Sequence, residues 1–171
     1  MKIIAATILA LSSAVGAAQS SAPRLPKAVP WLVLAHDSGL SAASNGGLVF
    51  AVWSDGTIVR RPPGDRTGEA FELAMLGAAQ LDRVRELVAS SRIEAAESAK
   101  RYLDLPEDGL VIRANGKVRC WYDTPGVDVT PGLAQIKDAV SQLELARPTR
   151  LKLEPQRWLP WSAYWERSCA S

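Results

Sequence analysis

The sequence predicts an α+β fold in which two helices cover one face of a mainly antiparallel sheet of five or six strands. Three observations lead to this prediction. Two short turn signals, Asp55-Gly56 and Asn115-Gly116, each separate two runs that are rich in β-branched and aromatic residues. Each hairpin is followed by a stretch in which apolar residues recur with the period of a helix. The second half of the chain therefore repeats the hairpin–helix plan of the first half.

The first eighteen residues have the layout of a secretory signal peptide. Lys2 supplies a positive charge, residues 3–16 are apolar or small, and further small residues follow at the spacing that a signal peptidase recognises. Cleavage after Ala17 or Ala18 fits this spacing best. The apolar run is shorter than the roughly 20 residues that a membrane-spanning helix needs. We therefore expect a secreted or periplasmic protein whose mature chain has no transmembrane segment.

The mature chain is expected to form a single domain over residues 31–171, which is long enough to bury a hydrophobic core. Residues 19–30 contain three prolines, Pro23, Pro26 and Pro30, and predict an extended, flexible lead-in to that domain. The formal net charge of the whole chain is only +2. Such a balance does not indicate nucleic acid or an acidic polymer as a partner.

The first half of the chain begins with a buried strand, because residues 31–39 open with five apolar side chains. A small-residue loop is expected over 38–47, and the first hairpin over 48–61 with a type I′ turn at its Asp-Gly pair. Another loop is expected over 61–70. The segment 76–91 then predicts an amphipathic helix with one apolar side. Its apolar positions are Leu81, Val84, Leu87 and Val88.

The second half of the chain opens with a hairpin over 110–123. Thr130 and Pro131 predict the start of the second helix, as N-cap and first-turn residue. The helical period that follows is formed by Leu133, Ile136, Val140 and Leu143. The alternation of polar and apolar residues over 149–154 predicts a half-buried edge strand, whose charged residues oppose pairing with further strands.

Arginines in both hairpins indicate that one face of the sheet is only partly covered by the helices. These residues are Arg60, Arg61, Arg113 and Arg119. We expect the Trp-rich C-terminal segment to pack on that face, because a helix of about ten residues is marginal without tertiary packing. Its aromatic residues are Trp158, Trp161, Tyr164 and Trp165. A partner surface and contact with a membrane interface remain alternative roles for this segment.

The chain has only two cysteines, Cys120 and Cys169. An exported protein matures where disulfides persist, so we expect these two residues to form one. Cys120 lies in the second hairpin and Cys169 follows the Trp-rich residues. A segment packed against the hairpin could therefore bring the two sulfur atoms together. Two free thiols are the alternative.

The sequence offers no recognisable catalytic set. His36 is the only histidine, and consecutive strand residues point in different directions, so His36, Asp37 and Ser38 are not expected to converge as a triad. A surface position at the mouth of a loop is the expected place for His36. One histidine and two distant cysteines do not make a zinc site, and no phosphate-binding or dinucleotide motif is present. No metal or cofactor is therefore expected.

These observations favour an exported binding or interaction module that has no catalytic site. The expected partner is an unidentified protein or a component of the cell envelope. One alternative is an inhibitor of a secreted hydrolase, in which an exposed loop would occupy the cleft of the enzyme. Another is a cell-envelope protein that associates with membrane or glycan through its Trp-rich segment. An enzyme of unfamiliar type, in which His36 and Asp37 would act, is the remaining alternative.

Overall fold

The computed structural model describes residues 25–37, 47–65, 70–96 and 105–152. The predicted signal peptide and the Trp-rich C-terminal segment lie outside these ranges. The predictions about them therefore stay predictions. Of the predicted lead-in, only the part from Leu25 onward is described, and it contains no regular secondary structure.

The described residues form an α+β fold with one antiparallel sheet of seven strands. The predicted number of five or six strands was therefore too low. The strands are β1 (Leu32–Asp37), β2 (Gly47–Val52), β3 (Thr57–Arg60), β4 (Ala70–Met75), β5 (Glu107–Ala114), β6 (Lys117–Asp123) and β7 (Thr149–Lys152). Their order across the sheet is β6-β5-β1-β2-β3-β4-β7. The strand expected over 149–154 lies at one edge, as predicted.

The additional strand is β4, which lies between the first hairpin and the first helix. It pairs with β3 on one side and with β7 on the other. The first unit is therefore a three-stranded meander followed by a helix, whereas the second unit is a hairpin followed by a helix. The sequence of β4, AFELAM, contains two alanines and a glutamate and no β-branched residue. Its local propensity for a strand is weak. The segment is therefore a strand because it pairs with β3 and β7 on its two sides.

The turn of the first hairpin differs from the predicted type I′ geometry. Among the described non-glycine residues, Asp55 does not have a positive φ, whereas Gly56 has a φ of 91°. The Gly56 amide donates to the Trp53 carbonyl, and the Trp53 amide donates to the Thr57 carbonyl. This pattern is a three-residue turn with glycine in the left-handed position. A Cβ at position 56 would also lie 2.8 Å from the Leu76 carbonyl oxygen, so only glycine fits there.

The two helices are α1 (Ala78–Ser90) and α2 (Leu133–Ser141), close to their predicted places. A short 3₁₀ helix, Ile93–Ala95, follows α1. The residues that face the core are Leu81, Val84 and Val88 in α1, and Leu133, Ile136 and Val140 in α2. Thr130 is not the N-cap: its hydroxyl donates to the Tyr122 carbonyl, and Gly132 takes the N-cap position. No helix among the described residues is long and apolar enough to cross a membrane.

The sheet buries apolar residues on both of its faces. The face that we call the helix face packs against α1 and α2 through residues such as Leu34, Phe50 and Leu110. The opposite face, here called the second face, forms a separate apolar cluster. Its members are Val33, Leu48, Ala51, Trp53, Val59, Phe71, Leu73 and Val111.

Arg60 does not mark an uncovered face, as the sequence suggested, because it is buried on the helix face with only 6% of its surface exposed. Its Nε donates to Glu72, which lies directly opposite on β4, at 3.3 Å. Its Nη1 donates to the carbonyls of Ser141 at 2.8 Å and Leu143 at 2.5 Å. These carbonyls lie at the end of α2, where helical partners are missing. Arg60 therefore holds the C-terminus of α2 on the sheet.

Candidate functional site

A row of polar residues crosses three neighbouring strands on the helix face. Strand pairing places His36 of β1 opposite Asp108 of β5, and Asp108 opposite Asp123 of β6. Lys137 of α2 reaches the same row from the helix layer. We call these four residues the polar row. It lies at the end of the apolar core rather than on the outer surface of the sheet.

The position of the row follows from strand alternation. Side chains two residues apart in a strand point to the same face. Asp108 therefore shares the helix face with Leu110, and Asp123 shares it with Trp121, both of which belong to the core of that face. In each of the three strands, one polar side chain thus follows the buried apolar residues of the helix face. Strand pairing then places these three polar side chains next to one another.

His36 and Asp108 form the central contact of the row. The Nδ1 atom of His36 lies 2.9 Å from Oδ1 of Asp108. In the neutral ring, an Nδ1–H donor to a carboxylate leaves Nε2 as a hydrogen-bond acceptor. The His36 side chain is 32% exposed, whereas that of Asp108 is 4% exposed. A buried carboxylate therefore orients an imidazole ring that solvent can reach.

Lys137 makes the second contact with Asp108, through a hydrogen bond between its Nζ and Oδ2. Burial of Asp108 raises the pKa of its carboxyl, but hydrogen bonds from His36 and Lys137 outweigh this effect and lower the pKa below its ordinary value. The carboxylate is thus held in its charged form. An ammonium has three donors, and the Lys137 side chain is 38% exposed.

Asp123 is in a different electrostatic state from Asp108. Burial and the neighbouring charge of Asp108 raise the pKa of the Asp123 carboxyl, while Lys137 lowers it in part. Its Oδ1 is buried and has no hydrogen-bond partner within the described part of the chain, and the same is true of the Thr124 hydroxyl oxygen. The row therefore combines one carboxyl group whose pKa is lowered with another whose pKa is raised.

The row continues toward β2, where Gly47 lies opposite His36. A Cβ at position 47 would lie 3.6 Å from the Arg61 guanidinium, and Gly47 has a φ of 126°. Burial lowers the pKa of Arg61, although the charges of Asp65 and Asp108 oppose that shift. The guanidinium is thus a second cation near Asp108.

This arrangement can accept a hydrogen bond at His36 Nε2 and donate hydrogen bonds from Lys137. The same His–carboxylate contact is also the one that orients a general base. No group of three His, Cys, Asp or Glu side chains that could hold a metal ion occurs among the described residues.

The structure gives His36 a role that the sequence did not. The ring lies at a strand end with part of its surface exposed, near the expected loop mouth, but a buried carboxylate also holds it. Its partner is Asp108, which is 72 positions away, rather than the adjacent Asp37. Asp108 and Lys137 were not candidate residues. The one available signal was the acidic pair Glu107-Asp108 immediately before a buried apolar run.

The other candidate residues fall mostly outside the described ranges. Ser38, Cys169 and the four aromatic residues of the Trp-rich segment all lie there. Cys120 lies in β6, half-buried, and packs against the second-face cluster. It is therefore separate from the polar row.

Comparison of the chain with known proteins finds no matching family model, no similar curated protein and no similar solved structure.

Proposed function

We propose that the protein is an exported binding module whose ligand site is the polar row. The observation that carries the proposal is the buried Asp108, which holds two partly exposed groups, His36 and Lys137, in fixed positions. The partner is an unidentified protein or a component of the cell envelope. Its recognition uses the hydrogen-bonding groups of the row and requires no cofactor.

The energetic cost of the row supports a functional role. Burying a charged or polar group costs more than burying an apolar one, and the row buries two carboxyl groups, those of Asp108 and Asp123. An apolar side chain at position 123 would continue the core without that cost. Polar groups that are present although they lower the stability of the fold are typical of binding and catalytic sites.

The exposed groups define the chemistry of the ligand. The Nε2 atom of neutral His36 accepts a hydrogen bond, and Lys137 donates to oxygen. The ligand therefore presents an O–H or N–H donor beside a carbonyl, carboxylate or hydroxyl oxygen. Peptide segments and glycans both carry this combination.

The test uses the mature protein as bait for proteins and envelope fragments of its own host, with bound species identified by mass spectrometry. His36→Ala and Lys137→Ala should each lose the species that the unmodified protein retains. Arg85→Ala is the matched control, because Arg85 is exposed on α1 and pairs with Asp82 there. Equal retention by His36→Ala would refute the site.

The same experiment separates the alternatives. Capture of a single secreted hydrolase, with loss of its activity, would support the inhibitor function. Retention on lipid or peptidoglycan that does not depend on His36 would support an envelope association through the Trp-rich segment.

An enzyme remains the second candidate, and the contact between His36 Nδ1 and Asp108 favours it. In that function, Nε2 of His36 would take a proton from a water molecule or a hydroxyl group, and Asp108 would stabilise the resulting imidazolium. Turnover of an ester or peptide substrate that is lost in both His36→Ala and Asp108→Asn would support it. Turnover that persists in His36→Ala would exclude this mechanism.

The proposal includes two features outside the described ranges. The leader is removed on export, so that the mature chain begins near Ala18 or Gln19. The Trp-rich segment acts mainly as a clasp on the sheet. Intact-mass measurement of protein from the native host tests the first feature, and recovery of a soluble chain that still begins at Met1 would refute it.

A further inference from the structure

The centre of the second face of the sheet is fully buried. Val33, Ala51, Val59 and Val111, which belong to four different strands, each have 0% of their surface exposed. Side chains in the middle of a sheet reach zero exposure only when a further layer covers them. The second face therefore has a cover.

The described residues supply little of that cover. Both helices pack on the helix face. Trp53, which follows β2, and Leu25 are the described apolar residues outside the strands that belong to the second-face cluster or pack against it. The carbonyl of Ala28 accepts a hydrogen bond from the Trp53 indole at 2.7 Å, which places the segment before β1 beside Trp53. Four fully buried strands need a longer covering segment than this one.

The C-terminal segment has the length and the starting point to provide it. It continues from β7, which forms one edge of the sheet, and Leu151 of β7 already packs against the second-face cluster. The segment is also rich in the large aromatic residues that bury the most area. Of the other stretches outside the described ranges, residues 1–18 are the predicted leader, residues 19–24 number six, and the longest internal stretch, 38–46, has nine residues.

The cysteines fix the direction of the segment. Cys120 lies in β6, at the opposite edge of the sheet from β7. It pairs with Val111 and packs on the second face. Six strand spacings of about 4.8 Å separate the two edges, or roughly 29 Å. Sixteen residues lie between Lys152 and Cys169, and the extended chain between these two residues reaches about 55 Å.

We propose that residues 153–169 cross the second face from β7 to β6 and that a disulfide between Cys120 and Cys169 fastens them there. The segment then acts as a strap that joins the two edges of the sheet. Its tryptophans become part of the second-face core and are not free to contact a partner or a membrane. This inference deepens the clasp named above, rests on the sheet order and the buried second face, and does not depend on the proposed ligand site.

The bond is tested on the unmodified mature protein by a tryptic peptide map without reduction. Cleavage after Arg119 and Lys137 releases residues 120–137, and cleavage after Arg167 releases residues 168–171. The expected result is one species with the linked mass of both peptides, which separates on reduction. Two unlinked peptides with alkylated thiols in an unreduced sample would overturn the proposal.

The crossing itself is tested by moving one cysteine within a Cys120→Ala background. Val118→Cys places a thiol on the same strand and the same side as Cys120, whereas Leu151→Cys places one on the second face at the β7 edge. The strap predicts that Cys169 bonds to position 118 several-fold more completely than to position 151. Equal or preferred bonding at position 151 would mean that the segment folds back beside β7 and would overturn the crossing.

Discussion

The two faces of the sheet differ in the kinds of side chain that they bury. The helix face combines an apolar core with polar groups, among them Arg60 beneath the end of α2 and the polar row at the end of β1, β5 and β6. The second-face cluster is apolar, but strand alternation places the buried polar residues Thr57 and Glu107 on the same face as Val59 and Val111. On the helix face, Arg60 and the polar row hold α2 in a fixed position against the sheet.

The difference between the two faces indicates which residues to test for function. An apolar cluster contributes stability, and its substitution effects should follow burial. The helix face contains Arg60, Asp108 and Asp123, so substitution effects at these positions should depend on charge and pH.

Removal of the proposed disulfide should have the largest effect. Cys120→Ala together with Cys169→Ala is expected to lower the free energy of unfolding by about 4 kcal/mol, because the bond closes a loop of roughly fifty residues. Urea unfolding of the oxidised protein and the double variant measures the difference. Equal midpoints would show that the cover of the second face does not depend on this bond.

Arg60→Ala should destabilise the protein by about 3 kcal/mol, because it leaves Glu72 and the last carbonyls of α2 without their buried partner. Arg85→Ala, which removes an exposed pair on α1, is the control and should change stability by at most about 0.5 kcal/mol. Both values come from urea unfolding at neutral pH. Similar losses in the two variants would mean that Arg60 does not hold α2.

Asp108→Asn should lower the free energy of unfolding by about 2 kcal/mol at pH 7, since two charge-assisted hydrogen bonds weaken. The pKa of Asp108 is depressed below 3.8. Its stabilising contribution is therefore present above that value and is lost as the pH falls through the folded-state pKa. The gap between the two proteins should narrow below about pH 4, and a gap that is constant with pH would contradict this assignment.

Asp123→Asn should have the smallest effect and the opposite sign. The pKa of Asp123 is raised above 3.8, so ionisation of this group costs stability as the pH rises through the folded-state pKa. The variant is therefore expected to equal or exceed the unmodified protein at neutral pH, by up to about 1 kcal/mol. Unfolding measured between pH 3 and 7 checks this, and a clear loss of stability at pH 7 would show that the charged form is needed.

The helices and the hairpins could be predicted from the sequence, because their signals are local. The period of Leu133, Ile136 and Val140 identifies α2 and its buried side. Asn115 and Gly116 adopt positive φ values at the turn between β5 and β6, the pattern that an Asn-Gly pair favours.

Two errors have one common cause. Arg60 was taken as a sign of an uncovered face, and the AFELAM segment was not recognised as a strand. In both cases the local residue types predict the wrong environment: an arginine suggests exposure, and AFELAM suggests that the segment is not a strand. Partners far along the chain determine the environment that is observed. Arg60 is satisfied by carbonyls about eighty positions away, and β4 is defined by the strands on either side of it.

The sequence by itself determined the α+β class, the two helices, the two hairpins and the edge strand at the end of the described chain. It also determined that His36 lies at a strand end. Only the tertiary structure decided that His36 meets Asp108 and Lys137. Alternation along a strand shows which residues share a face, but the register between strands shows which of them meet. Register is set by pairing across the whole chain, so the polar row exists only in the assembled sheet.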